Sequence, residues 1–189
     1  MSELRFDPSA STIKIETRAK GMLAKLAHDL SIDVRDPEVS LAHDGDKVTL
    51  KLGALVAKLS VDGVRKGDSV DHGVLSASDR SEIERKIQRE VFSAARVDVV
   101  LDAPVSPDAL APGAASSSVE ASGRLETGRA STRVSTRVRL EPEAGRVVAS
   151  ARAKLSLPAL GITPPKGPLG AFRVDDDVEV VVKLAFARG

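Results

Sequence analysis

The chain has 189 residues, with 28 Lys and Arg against 27 Asp and Glu, a formal net charge of +1. That balance excludes a dominant electrostatic partner such as nucleic acid or an anionic membrane surface. The absence of cysteine excludes disulfides, thiolate nucleophiles and cysteine-ligated zinc.

Taken in chain order, the apolar residues alternate with polar ones at period two, the signature of half-buried strands. Ile13 and Ile15 flank Lys14; His28, Leu30, Ile32 and Val34 flank Asp29, Ser31 and Asp33. Val48, Leu50 and Leu52 follow, and after Gly53 the parity changes to Leu55, Ala57, Leu59 and Val61. A change of face beside a glycine predicts a β-bulge at Gly53. Residues 78–92 break the rhythm: Ile83, Ile87 and Val91 recur every fourth residue, predicting an inserted amphipathic helix with a narrow apolar stripe. Asp79 and Glu82 form its expected capping box, and Glu82 with Lys86 is a favourable i,i+4 pair. The helix is expected to plug the interior or to act as a lid.

Strand periodicity resumes with Val97, Val99 and Leu101. Residues 103–118, rich in Pro, Ala and Ser, read as a mobile surface loop. Val119, Ala121, Gly123 and Leu125 follow, then Val134, Val138 and Leu140, then the run from Val147 through Ala149, Ala151 and Ala153 to Leu155. Val178, Val180, Val182, Leu184 and Phe186 close the chain. The pattern predicts a mainly β fold, one domain over residues 1–189: a single antiparallel, lipocalin-like barrel of about eight strands.

Few residues offer chemistry. His43 and His72 fall in expected turns, while the parity of His28 places it inward near a strand end, bonded to the backbone or touching a ligand. No G-x-S-x-G elbow exists, and the glycines around Thr163, Pro164 and Pro165 lack phosphate-loop spacing. Asp175, Asp176 and Asp177 are adjacent, so on a strand they point to opposite faces and form no acid/base dyad. No metal site and no cofactor are predicted, and the chain reads as a non-enzyme. The inward parity is almost wholly aliphatic. With four Phe and neither Tyr nor Trp, such a lining suits flexible aliphatic chains better than stacked rings. The alanine row leaves room on the inner face, and a barrel of about eight strands is just wide enough to be filled by its own side chains or to hold one ligand. No run of about 18 apolar residues predicts a membrane span. The N-terminal residues lack a signal-peptide core, which predicts a cytoplasmic location, or a periplasmic one for a processed form.

Four stretches, in order, resemble the YceI-like family of polyisoprenoid-binding, lipocalin-like proteins. They are Phe6, Asp7 and Pro8 followed by Ser11, Thr12 and Ile13; Gly21-Met22-Leu23-Ala24-Lys25-Leu26-Ala27-His28-Asp29-Leu30; Leu75-Ser76-Ala77-Ser78-Asp79 running into the helix and on to Val91-Phe92-Ser93; and Leu160-Gly161-Ile162-Thr163-Pro164 with Leu169-Gly170-Ala171-Phe172-Arg173-Val174. The resemblance implies an antiparallel barrel with a hydrophobic tunnel for an isoprenoid chain, such as a quinone tail. It also implies a bacterial homodimer acting in carriage, storage or stress response. On that reading Ile13, Ile15, Leu30, Ile32, Val99, Leu101, Ala149, Ala151, Val180 and Val182 line the tunnel, and His28 meets a polar head group at its mouth. Two alternatives stay open: a structural or interaction barrel with a filled core, and a hydrolase or isomerase dependent on His28.

Overall fold

The computed structural model describes residues 4–21, 27–92, 94–167 and 172–189. Residues 22–26, 93 and 169–171 of the motifs above lie outside them. The alternating segments form thirteen strands among the described residues: β1 (Leu4–Glu16), β2 (Ala19–Lys20), β3 (Leu30–Val34), β4 (Glu38–Asp44), β5 (Lys47–Leu55), β6 (Leu59–Lys66), β7 (Ser69–Asp71), β8 (Arg96–Pro104), β9 (Ser117–Glu126), β10 (Ser131–Pro142), β11 (Arg146–Ser156), β12 (Arg173–Val174) and β13 (Asp177–Arg188). Eleven make one antiparallel sheet, ordered β4-β5-β8-β9-β10-β11-β13-β1-β3-β6-β7; β2 and β12 pair separately.

The expectation of an eight-stranded closed barrel is therefore corrected: the strands are more numerous and the sheet is not closed. Two bends, with the short strands β2, β7 and β12, account for the number, and the first bend lies where the sheet stays open. Asp36, at φ 48°, and Pro37 break one long strand into β3 and β4. Its partner is broken into β5 and β6 by a 3-10 turn at Val56–Lys58. The sheet nevertheless wraps on itself. Side chains from β4 and β5 (Val39, Leu41, Leu50, Leu52) pack in one cluster with Ile13 of β1, Ala149 of β11 and Leu184 of β13. What is missing among the described residues is a ladder between β4 and the first half of β1.

The bulge expected at Gly53 is also absent. β5 keeps regular register through Gly53, opposite Glu38 and Asp98, and the face changes at the 3-10 turn instead. The glycine serves contact: the Arg96 guanidinium lies over it, 1.8 Å from where a Cβ would stand. Gly123 is the firmer constraint, because its Cβ would lie 1.9 Å from the Val100 carbonyl oxygen, a backbone atom of neighbouring β8 that cannot swing aside as a side chain can.

The inserted helix begins earlier than its pattern indicated. α1 spans Ala77–Lys86 and ends in one π turn at Ile87–Val91. Ser76 is its cap and Asp79 its reciprocal partner, three residues before the expected Asp79–Glu82 box. Ile87 and Val91 reach interior clusters, but the helix body is fixed to β6 by polar contacts. Arg80 donates to the carbonyls of Val61, Asp62 and His72, and Glu84 accepts from Val61 N at 2.8 Å and Ser60 Oγ at 3.1 Å. These bonds satisfy a sheet edge that β7 is too short to cover.

Residues 103–118 do not form a plain surface loop. β8 continues to Pro104, Val105 is 3% exposed, and a 3-10 turn at Pro107–Leu110 covers one end of the barrel.

Candidate functional site

The inner face carries the apolar parity of every long strand. Four buried clusters run along it, centred on Ile162 and Val178, on Ile13, Leu184 and Phe186, on Ile32, Val56 and Leu59, and on Val48, Val105 and Leu140. Between the second and the fourth lies a cavity of ≈ 80 Å³. Every described residue lining it is apolar, from Leu4 of β1 and Leu41 of β4 to Leu184 and Phe186 of β13. A void that size without polar partners holds no ordered water comfortably.

The structure brings ten of the eleven predicted site residues to the inner face. Leu101 and Ala149 line the cavity. Ile13, Val180 and Val182 pack in the adjoining cluster, and Ala151 stands in register between Val138 and Val182. Ile15, Leu30, Ile32 and Val99 lie in the clusters toward the other end. His28 is the exception and corrects the parity argument. The strand starts only at Leu30, because Thr17 Oγ1 accepts from Leu30 N and Asp29 Oδ1 accepts from Ala19 N at the turn before it. His28 is left exposed in that turn, away from the cavity. His43 lies in β4, not a turn, with Nε2 bonded to the Val105 carbonyl at 3.2 Å; His72 is exposed beside Asp62. The three histidines do not converge.

Several cavity residues escaped selection from sequence although their parity was visible: Val48, Leu50, Val119, Ala121, Leu140 and Phe186. Val105 and Leu110 had no such signal, since they belong to the segment that folds over the barrel end.

A second cleft, ≈ 360 Å³, opens in the wall where β1 passes the β3–β4 bend. Its lining mixes inward residues, Phe6, Ile13 and Val34, with outward ones, Thr12, Lys14 and Asp33. Lys14 is already committed, 2.7 Å from Asp62 and 3.4 Å from Asp33. Burial lowers its pKa, but those two carboxylates outweigh burial and hold the ammonium above its usual value.

Among solved structures, the chain is similar over its full length to a polyisoprenoid-binding domain from Saccharophagus degradans implicated in plant cell wall breakdown. The TM-score is 0.67, identity is 10%, and all of that chain is covered. It is likewise similar to BcnA of Burkholderia cenocepacia, with TM-score 0.63 and 11% identity, over 95% of this chain and 98% of that one. The resemblance read from the motifs is thus matched at the level of the fold by a polyisoprenoid-binding domain. No family model and no curated protein matches the chain. No helix among the described residues is long and apolar enough to cross a membrane.

Proposed function

We propose that this chain is a non-catalytic carrier or store for a long isoprenoid-like lipid, held in the barrel interior. The observation that carries the reading is the apolar, mostly aliphatic cavity at Ala149, within the fold the chain shares with a polyisoprenoid-binding domain. Affinity would come from apolar burial, about 25 cal/mol for each Å² removed from water, so a long tail needs few polar contacts. The cavity's ≈ 80 Å³ is far below the ~300–1,000 Å³ of typical ligand sites, so the surrounding Val and Leu side chains must repack around a bound chain.

That same small volume favours a second reading, a structural or interaction barrel filled by its own side chains. One experiment separates the two. Purified protein is extracted into organic solvent, the extract is examined by mass spectrometry, and the protein is titrated with a fluorescent prenyl probe. A copurifying lipid or saturable probe uptake is the expected result. Neither being seen would leave the filled barrel.

A further inference from the structure

We propose that the gap between β1 and the β3–β4 bend is a lateral portal through which an apolar chain enters the barrel, with Phe6 as its inner leaf. The proposal rests on the lipid-binding reading above.

The portal follows from how the wall fails to close. β1 pairs with β3 at Lys14↔Asp33, Ile15↔Ile32 and Glu16↔Ser31. Continued along the strands, that register would set the start of β1 against β4. It stops because both strands deform. On β3–β4, Asp36 and Pro37 make the bend. On β1, residues 8–11 stand opposite Leu184 alone, and the Ser11 hydroxyl bridges the break by donating to the Asp7 carbonyl at 2.6 Å and accepting from Ala185 N at 2.9 Å. β4 therefore lies beside β1 without a ladder among the described residues. Among the described residues, separating them breaks no backbone hydrogen bond, whereas parting any two paired strands of the sheet breaks a ladder.

The cleft of ≈ 360 Å³ lies at this gap. A groove on the outer surface would be lined by outward side chains only. This one also shows Phe6, Ile13 and Val34, members of the interior cluster, so it penetrates the wall. Phe6 packs on Phe186, ring centroids 6.1 Å apart and planes tilted by 58°. Phe6 lines the outer cleft and Phe186 the inner cavity, so this ring pair is the partition between the two spaces. Turning one phenyl ring aside would join them.

The competing door is the barrel end under Pro107–Leu110. It is tied down: Arg188 Nη2 donates to the Leu110 carbonyl at 2.6 Å, and Val105 N donates to the Asp46 carbonyl at 2.8 Å.

The test is stopped-flow uptake of a dansyl-labelled farnesyl probe by the full chain. Thr12→Cys and Arg35→Cys place thiols on opposite sides of the cleft, and the chain has no other cysteine. Bridging them with a reducible thiol crosslinker should slow uptake at least about tenfold, as a blocked conformational step lowers an association rate, and reductant should restore it. Phe6→Ala should speed both uptake and release, and Arg188→Ala should change neither. An unchanged rate in the bridged protein overturns the portal, as does faster uptake with Arg188→Ala. If the bridged variant does not fold, Phe6→Ala decides, and unchanged or slower uptake rejects the portal. Should the wild-type chain take up no probe at all, both the portal and the lipid reading fall. A wild type that binds while the bridge has no effect removes the portal alone.

Discussion

Ala149 is the residue on which the interior turns. It pairs with Leu140 on one side and Leu184 on the other, and its small side chain leaves the cavity open where larger neighbours would meet. Ala149→Leu should fill that space. Filling a void adds apolar contact without displacing neighbours, so stability in urea denaturation should hold or rise slightly, while the affinity for a prenyl probe should fall. Retained affinity would move the ligand away from this end of the barrel. His28 makes the opposite case: exposed in the turn before β3, His28→Ala should leave probe affinity unchanged in the same titration. Thr127 tests packing rather than binding. It is 2% exposed, and its hydroxyl donates to the Leu160 carbonyl at 2.8 Å, tying the β9–β10 turn to the segment after β11. Thr127→Val keeps the shape and orphans that acceptor, which should cost about 1–3 kcal/mol in denaturation, with Thr127→Ser recovering most of it.

At the scale of elements, the helix shows why periodicity alone misleads. The stripe of Ile83, Ile87 and Val91 is real, yet only its last two residues join interior clusters. What fixes α1 is Arg80 and Glu84, one turn apart, which read as ordinary surface charges until β6 supplies backbone partners. Glu84→Ala should therefore loosen α1 locally, through faster amide hydrogen exchange over Ala77–Lys86, and lower global stability by no more than about 1–2 kcal/mol. The long strands were legible because alternation reports which face a residue takes. Alternation is silent about which edges pair. The Val39, Leu41 and His43 alternation of β4 went unused, and the bends at Pro37 and Val56 divided strands that sequence alone presents as continuous or displaced. The lining of the site was accordingly readable residue by residue, whereas the unpaired seam at β1 depends on an eleven-strand order that no local pattern encodes.

For the whole molecule, two linkages follow. The outer surface holds carboxylates by specific donors: Asp36 by Lys58, Glu38 by Arg96, Asp79 by Ser76 and Asp102 by Thr49, each with its pKa below the ordinary carboxylate value. A pKa lower in the folded than in the unfolded chain adds stability that is complete above the unfolded value and lost as pH falls through the folded one. The urea midpoint should hold steady near neutrality and decline below about pH 4. High salt should shrink the share due to the exposed Lys58 and Arg96 pairs.

The second linkage separates a binding barrel from a filled one. A ligand that binds only the folded chain stabilises it by about 2.7 kcal/mol at a hundredfold excess over Kd. For a chain of 189 residues each kcal/mol is worth about 2–4 °C, so a saturating prenyl alcohol should raise Tm by about 5–10 °C in a thermal melt. A filled barrel has no folded-state site to saturate, and lipid that meets only the exposed apolar surface of the unfolded chain would lower Tm. The sign of the shift is therefore decisive where its size is not. Ala149→Leu adds the location: if the ligand occupies the cavity between Leu140 and Leu184, the variant's shift should be smaller than the wild type's at equal probe concentration. An equal shift in both proteins would place the ligand along the Ile32 and Val178 clusters instead.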